Sequence, residues 1–217
     1  LYGRTEGSTP FRFSLHVGDV GHTLVVGPTG AGKSVLLALM ALQFRRYARS
    51  QVFAFDFGDS IRACALAMQG DWHDLGGELT DASETSVSLQ PLARIHETAE
   101  RAWAADWIVA ILTRENIQIT PEVKEHIWTA LTSLASAPVG ERTITGLAVL
   151  LQSNDLKQAL RAYCVGGPYG RLLDAETEHL GSADVQAFEI EGLVGTGAAP
   201  AVLSYLFHRI GCLLYTS

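Results

Sequence analysis

The spacing of apolar residues changes along this chain, and each change of period marks a change of element. Phe11, Phe13, Leu15 and Val17 alternate with Arg12, Ser14 and His16, which predicts a half-buried strand. Gly18-Asp19-Val20-Gly21 predicts a turn. Thr23-Leu24-Val25-Val26 predicts a short buried strand, and the apolar run Val35–Leu42 a helix ending near Tyr47. Gln51–Phe57 is β-branched and aromatic, the composition of a second strand. Gly58-Asp59-Ser60 turns into a short helix over Ile61–Met68, and Gly70–Gly76 is a further short strand or hairpin. Strand, helix and strand at this spacing form a βαβ unit, which requires a parallel sheet.

From Leu92 to Leu160 the pattern becomes helical. Ala99, Trp103, Trp107 and Ile111 recur at four-residue steps, with the two tryptophans expected in a core. Thr120-Pro121-Glu122 is a helix start: a capping hydroxyl, proline at the first helical position and an acid in the first turn. Val123, Ile127, Leu131 and Leu134 form one stripe of that helix, and two shorter helices follow around Leu147–Leu151 and Leu156–Leu160. Gly166–Gly170 ends the helical block; a strand at Val185–Ile190, a loop at Gly192–Pro200 and a helix at Ala201–Ile210 complete the pattern.

The expected fold class is therefore α/β, a parallel-sheet core carrying an inserted all-α subdomain. Residues 1–91 form the first segment of the core, 92–165 the insertion and 166–211 the return to the core. Residues 212–217, Cys-Leu-Leu-Tyr-Thr-Ser, back-translate to TGT-CTC-TTA-TAC-ACA-TCT, the sequence of a transposon-end adapter. They are expected to be a read-through tail and not part of the fold. The absence of an initiator Met predicts that the chain begins inside a longer protein.

Composition narrows the classes. With 47% hydrophobic and 18% charged residues the chain can bury a sizeable core. Its apolar runs stay well short of the roughly 18 residues that would cross a bilayer. The start of the chain is polar, unlike a signal peptide. Cys64, Cys164 and Cys212 lack metal-ligand spacing and are expected as free thiols. A net charge of −7 argues against direct DNA binding by the domain as a whole.

One stretch carries explicit chemistry. Gly27-Pro28-Thr29-Gly30-Ala31-Gly32-Lys33-Ser34 matches the P-loop pattern in full, between a strand and a helix. The glycines permit dihedrals that point successive N–H groups at phosphate oxygens. Lys33 supplies a cation for the outer phosphates and a catalytic role, the Ser34 hydroxyl is the Mg²⁺ ligand, and the following helix aims its positive end at the same anion. ATP and Mg²⁺ are the expected ligands.

Hydrolysis needs further acids, one to hold the metal's water shell and one to position water. Asp56 ends an apolar strand, but the strand directly after a P-loop helix is not where P-loop folds usually place the metal-holding acid. It is expected to stand behind the groups that touch phosphate, the alternatives being that acid itself or a turn cap. Leu172-Leu173-Asp174-Ala175-Glu176 is expected to be loop, and Glu189 and Glu191 a solvated strand face. The seven histidines, His16, His22, His73, His96, His126, His179 and His208, share no metal spacing, and Arg142, Arg161 and Arg171 are expected in ordinary surface roles, the alternative being an arginine finger across an oligomer interface. The sequence thus predicts an ATP-binding half-site without its hydrolytic half.

The ordered series resembles the conjugal transfer ATPases of the CagE/TrbE/VirB family, most closely the TrbE branch. The residues carrying it are Gly21-His22-Thr23 leading into the P-loop, Phe55-Asp56 with Asp59-Ser60, Gly70–Leu75, Gln90-Pro91-Leu92 and Thr120-Pro121. It continues with Arg142–Thr145, Gly170–Asp174, Phe188-Glu189 and Leu203–Phe207. The resemblance implies a RecA-like ATPase core of the HerA/FtsK type with a helical insertion. It implies hexamers at the cytoplasmic face of the bacterial inner membrane, energising a type IV secretion or conjugation channel with its other components. It also implies an Asp-Glu Walker B strand just beyond the helix ending near Ile210, which leaves this core incomplete and this fragment not hydrolytically competent. The alternatives are a DNA-translocating motor of the coupling-protein or FtsK type and a nucleotide-binding module without turnover.

Overall fold

The computed structural model describes residues 2–4, 6–12, 14–15, 21–76 and 87–216. The turn expected at Gly18–Val20, and Phe13, His16 and Val17 of the expected first strand, lie outside the described residues. The chain divides into two compact units, Leu1–Trp72 with Ser182–Glu189 and His73–Gly181 with Ile190–Ser217.

The first unit is built on parallel pairing. β3 (Val52–Asp56) runs alongside β5 (Val185–Glu189) in a register that sets Val52 opposite Val185 and Asp56 opposite Glu189. β5 is the middle strand of the order β3-β5-β4 and is buried at every position, polar Gln186 and Glu189 included. β4 (Asp71–Asp74) begins in this unit and carries the chain into the second. Ile61, Ala65, Val185 and Ala187 form the core, and Ala38, Val52, Ala54, Met68 and Trp72 pack against it. Gly70 makes that approach possible, because an added Cβ would lie 2.6 Å from the Val185 carbonyl oxygen. Cys64 of α2 (Arg62–Ala67) donates its Sγ–H to Ala38 of α1 (Lys33–Phe44), 3.4 Å away.

Two expectations are corrected here. Thr23–Val26 belongs to no strand among the described residues, and Leu24 and Val26 are 86% and 79% exposed, not buried. β-branched residues favour extended backbone, but burial requires a neighbouring strand. Of the strand expected over Phe11–Val17, Phe11 and Arg12 lie in β2 (Pro10–Arg12), paired antiparallel with β1 (Tyr2–Arg4), Ser14 and Leu15 lie in no strand, and Phe11 is exposed. α1 ends at Phe44, three residues before the predicted end, because Arg45 closes the last turn on the Ala41 carbonyl.

The second unit is mainly helical. α3 (Thr98–Arg114) buries Ala104, Trp107, Ile108, Ile111 and Leu112, while Ala99 is exposed. The stripe drifts off the strict four-residue step because a helical turn is 3.6 residues. Trp107 donates its indole N–H to the Ala201 carbonyl of α8 (Ala199–Thr216) at 3.0 Å, so both the ring and its polar handle are satisfied inside. α4 (Pro121–Leu134) starts as its sequence predicts, with the Thr120 hydroxyl accepting from Val123 N–H at 3.3 Å. α5 (Ile144–Leu150), α6 (Asn154–Leu160) and α7 (Gly170–Leu173) follow. The Thr143 and Ser153 hydroxyls cap α5 and α6. Among the described residues α8 continues through 212–216, so most of the expected tail is helical.

Asp174, expected in a loop, is buried at the end of α7. Its carboxylate accepts from Thr145 N–H at 3.0 Å, from Val165 N–H at 2.7 Å and from the Thr145 hydroxyl. Asp174→Ala strands the Thr145 N–H and hydroxyl, while Val165 N–H keeps the Thr145 hydroxyl oxygen at 3.0 Å; the expected loss is about 1–3 kcal/mol, measured as a lowered urea midpoint. Burial, reinforced by neighbouring carboxylates, holds two phenols far above their ordinary range: Tyr205, bonded to Glu178 at 2.8 Å, and Tyr163, bonded to Glu115 at 3.0 Å. The folded chain keeps these protons more tightly than the unfolded chain. Their stabilisation is therefore complete below about pH 10 and is lost as pH rises beyond it. In a 295 nm titration, two of the six tyrosines should ionise only as the chain unfolds.

Candidate nucleotide site

The P-loop has the backbone its sequence requires. Gly30 and Gly32 both take φ of +82°, and a Cβ at either would meet no atom within 4 Å. Glycine is therefore needed there for its left-handed backbone and not for space. Ala31 N–H bonds the Pro28 carbonyl at 3.3 Å, and Gly32, the N-cap of α1, receives Leu36 N–H at 2.9 Å. The N–H groups of Lys33, Ser34 and Val35 in the first turn have no acceptor within the helix. The Lys33 ammonium folds over the loop and donates to the Gly27 and Pro28 carbonyls at 2.8 Å each. An open cradle of N–H groups, a lysine held only by loop carbonyls and an exposed Ser34 hydroxyl fit a magnesium-bound triphosphate.

Contacts beyond its C-terminus tie α1 to the sheet: the Arg45 guanidinium bonds the Ser50 carbonyl and lies 3.5 Å from the Asp184 carboxylate, and Val52 N–H bonds the Asp184 carbonyl. The C-terminus of α1 thus sits at the amino ends of β3 and β5.

At the carboxyl ends of β3 and β5 two carboxylates hold one loop. Glu189 accepts N–H bonds from Gly58 at 3.2 Å and Asp59 at 2.7 Å. Asp56 accepts from the Ser60 hydroxyl and from Ile61 N–H, each at 2.7 Å, fastening the turn into α2. Glu189 is only 6% exposed, which corrects its expected place on a solvated face. The alternation with Glu191 suggested an open strand. The apolar Val185, Ala187 and Phe188 were the signal of a central one.

The other candidates disperse. Arg142 donates to the Ala137 and Ala93 carbonyls at 3.0 and 2.9 Å and meets His96 Nδ1 at 3.0 Å, tying down backbone. His179 shares a 2.9 Å hydrogen bond with Ser88. Sequence spacing missed one grouping: Glu100, His208 and Cys212 bring ligand-type atoms within 4.8 Å of one another because α3 and α8 pack together. There His208 lies flat on Trp103 at 4.0 Å and bonds Glu100 at 3.1 Å, and Arg94 stands 3.7 Å from the same carboxylate.

No family model matches the chain. A probable conjugal transfer protein TrbE of Sinorhizobium fredii is 46% identical over 211 residues, covering 96% of this chain and 31% of that protein. The conjugal transfer protein TrbE of Rhizobium radiobacter is 43% identical over 208 residues, covering 94% and 25%. The solved structure of VirB4 of Thermoanaerobacter pseudethanolicus superposes with a TM-score of 0.68 over 97% of this chain and 63% of that one. Over nearly its whole length the chain is similar to a segment of these TrbE proteins. At 14% identity the VirB4 likeness shows the fold, an α/β core with a parallel sheet and added helices, as the sequence predicts. The chain spans a third or less of the TrbE proteins it matches. Among the described residues no helix is long and apolar enough to cross a membrane.

Asp56→Ala frees the Ser60 hydroxyl and Ile61 N–H at the start of α2. It should cost about 1 kcal/mol, read as a lowered urea midpoint at unchanged slope.

Proposed function

We propose that this chain is the ATP-binding portion of an ATPase that energises type IV secretion and conjugal transfer. The observation that carries the reading is the left-handed Gly30–Gly32 loop on the N-terminus of α1, in a chain similar to TrbE proteins. Gly27, Pro28, Thr29, Gly30, Ala31 and Gly32 wrap the phosphates, and Lys33 leaves the Gly27 and Pro28 carbonyls to meet the outer ones. Ser34 holds Mg²⁺, which offsets phosphate charge. The parent protein works as a hexamer with other secretion components at the cytoplasmic face of the inner membrane.

Within residues 1–217 the site binds ATP without appreciable turnover. The two carboxylates at the sheet end, Asp56 and Glu189, already accept hydrogen bonds from the loop between them, and neither is free to position water. A net charge of −7 favours this secretion role over a motor gripping DNA through this region.

Titration with a fluorescent ATP analogue and Mg²⁺ tests the assignment. Lys33→Ala should weaken binding at least tenfold, about 1.4 kcal/mol, with phosphate release at background in both proteins. Equal binding by Lys33→Ala would overturn the site. Turnover that Lys33→Ala abolishes would overturn the absence of hydrolysis, and DNA-stimulated turnover would favour the motor.

A further inference from the structure

We draw no further inference here: the strongest candidate, the side-chain cluster of Glu100, His208 and Cys212 where α3 packs on α8, takes its third donor from residues 212–217, expected to be a read-through tail, and without that thiol it is an ordinary pairing of His208 with Glu100.

Discussion

The parallel pairing of β3 with β5 is the contact on which the first unit depends. It joins segments at Val52–Asp56 and Val185–Glu189, so the chain must close a very long loop before any of its hydrogen bonds form. Parallel strands require such a crossover. Burial offsets that entropy: β5 is enclosed along its whole length, and Ala65 and Ile61 of the returning chain seal it. The same register brings Asp56 and Glu189 side by side at the sheet end. Two carboxylates placed together repel unless each is neutralised or hydrogen-bonded. Here each takes its own pair of donors from the loop 58–61, and the loop is shaped by that requirement.

The second unit solves the same problem differently. Asp174 lies among apolar residues, yet two backbone N–H groups and a hydroxyl converge on it, and it ties Thr145 at the start of α5 to Val165. A buried carboxylate of this kind organises backbone more than it does chemistry. Local sequence gave no sign of it, because its donors come from segments distant along the chain. Trp103, Trp107, Tyr205 and His208 show the complementary pattern. Large rings pack together, and the polar handles of Trp107, Tyr205 and His208 find partners in Ala201, Glu178 and Glu100.

α1 stands between these regimes. Its Leu, Ala and Met residues make it a strong helix former, yet none is fully buried and Val35 is 73% exposed. Propensity fixes that it is a helix, and the glycines before it fix how it begins. What orients it is a small set of contacts, Ala38 on the core and Arg45 at the amino ends of the strands.

Sequence alone determined the features whose physics is local. The P-loop, the Thr120-Pro121 start of α4 and the strand character of β3 and β5 follow from dihedral freedom, capping and side-chain branching within a few residues. The same reading placed Thr23–Val26 in a core, Glu189 in solvent and Asp174 in a loop. Each of those depended on partners far along the chain: a ladder neighbour, a central position in the sheet, converging N–H donors. Burial and hydrogen-bond satisfaction are properties of the assembled molecule. Only tertiary structure decided that Asp56 would fasten α2 and Glu189 would be enclosed, because the pairing of β3 with β5 sets which acids have donors within reach.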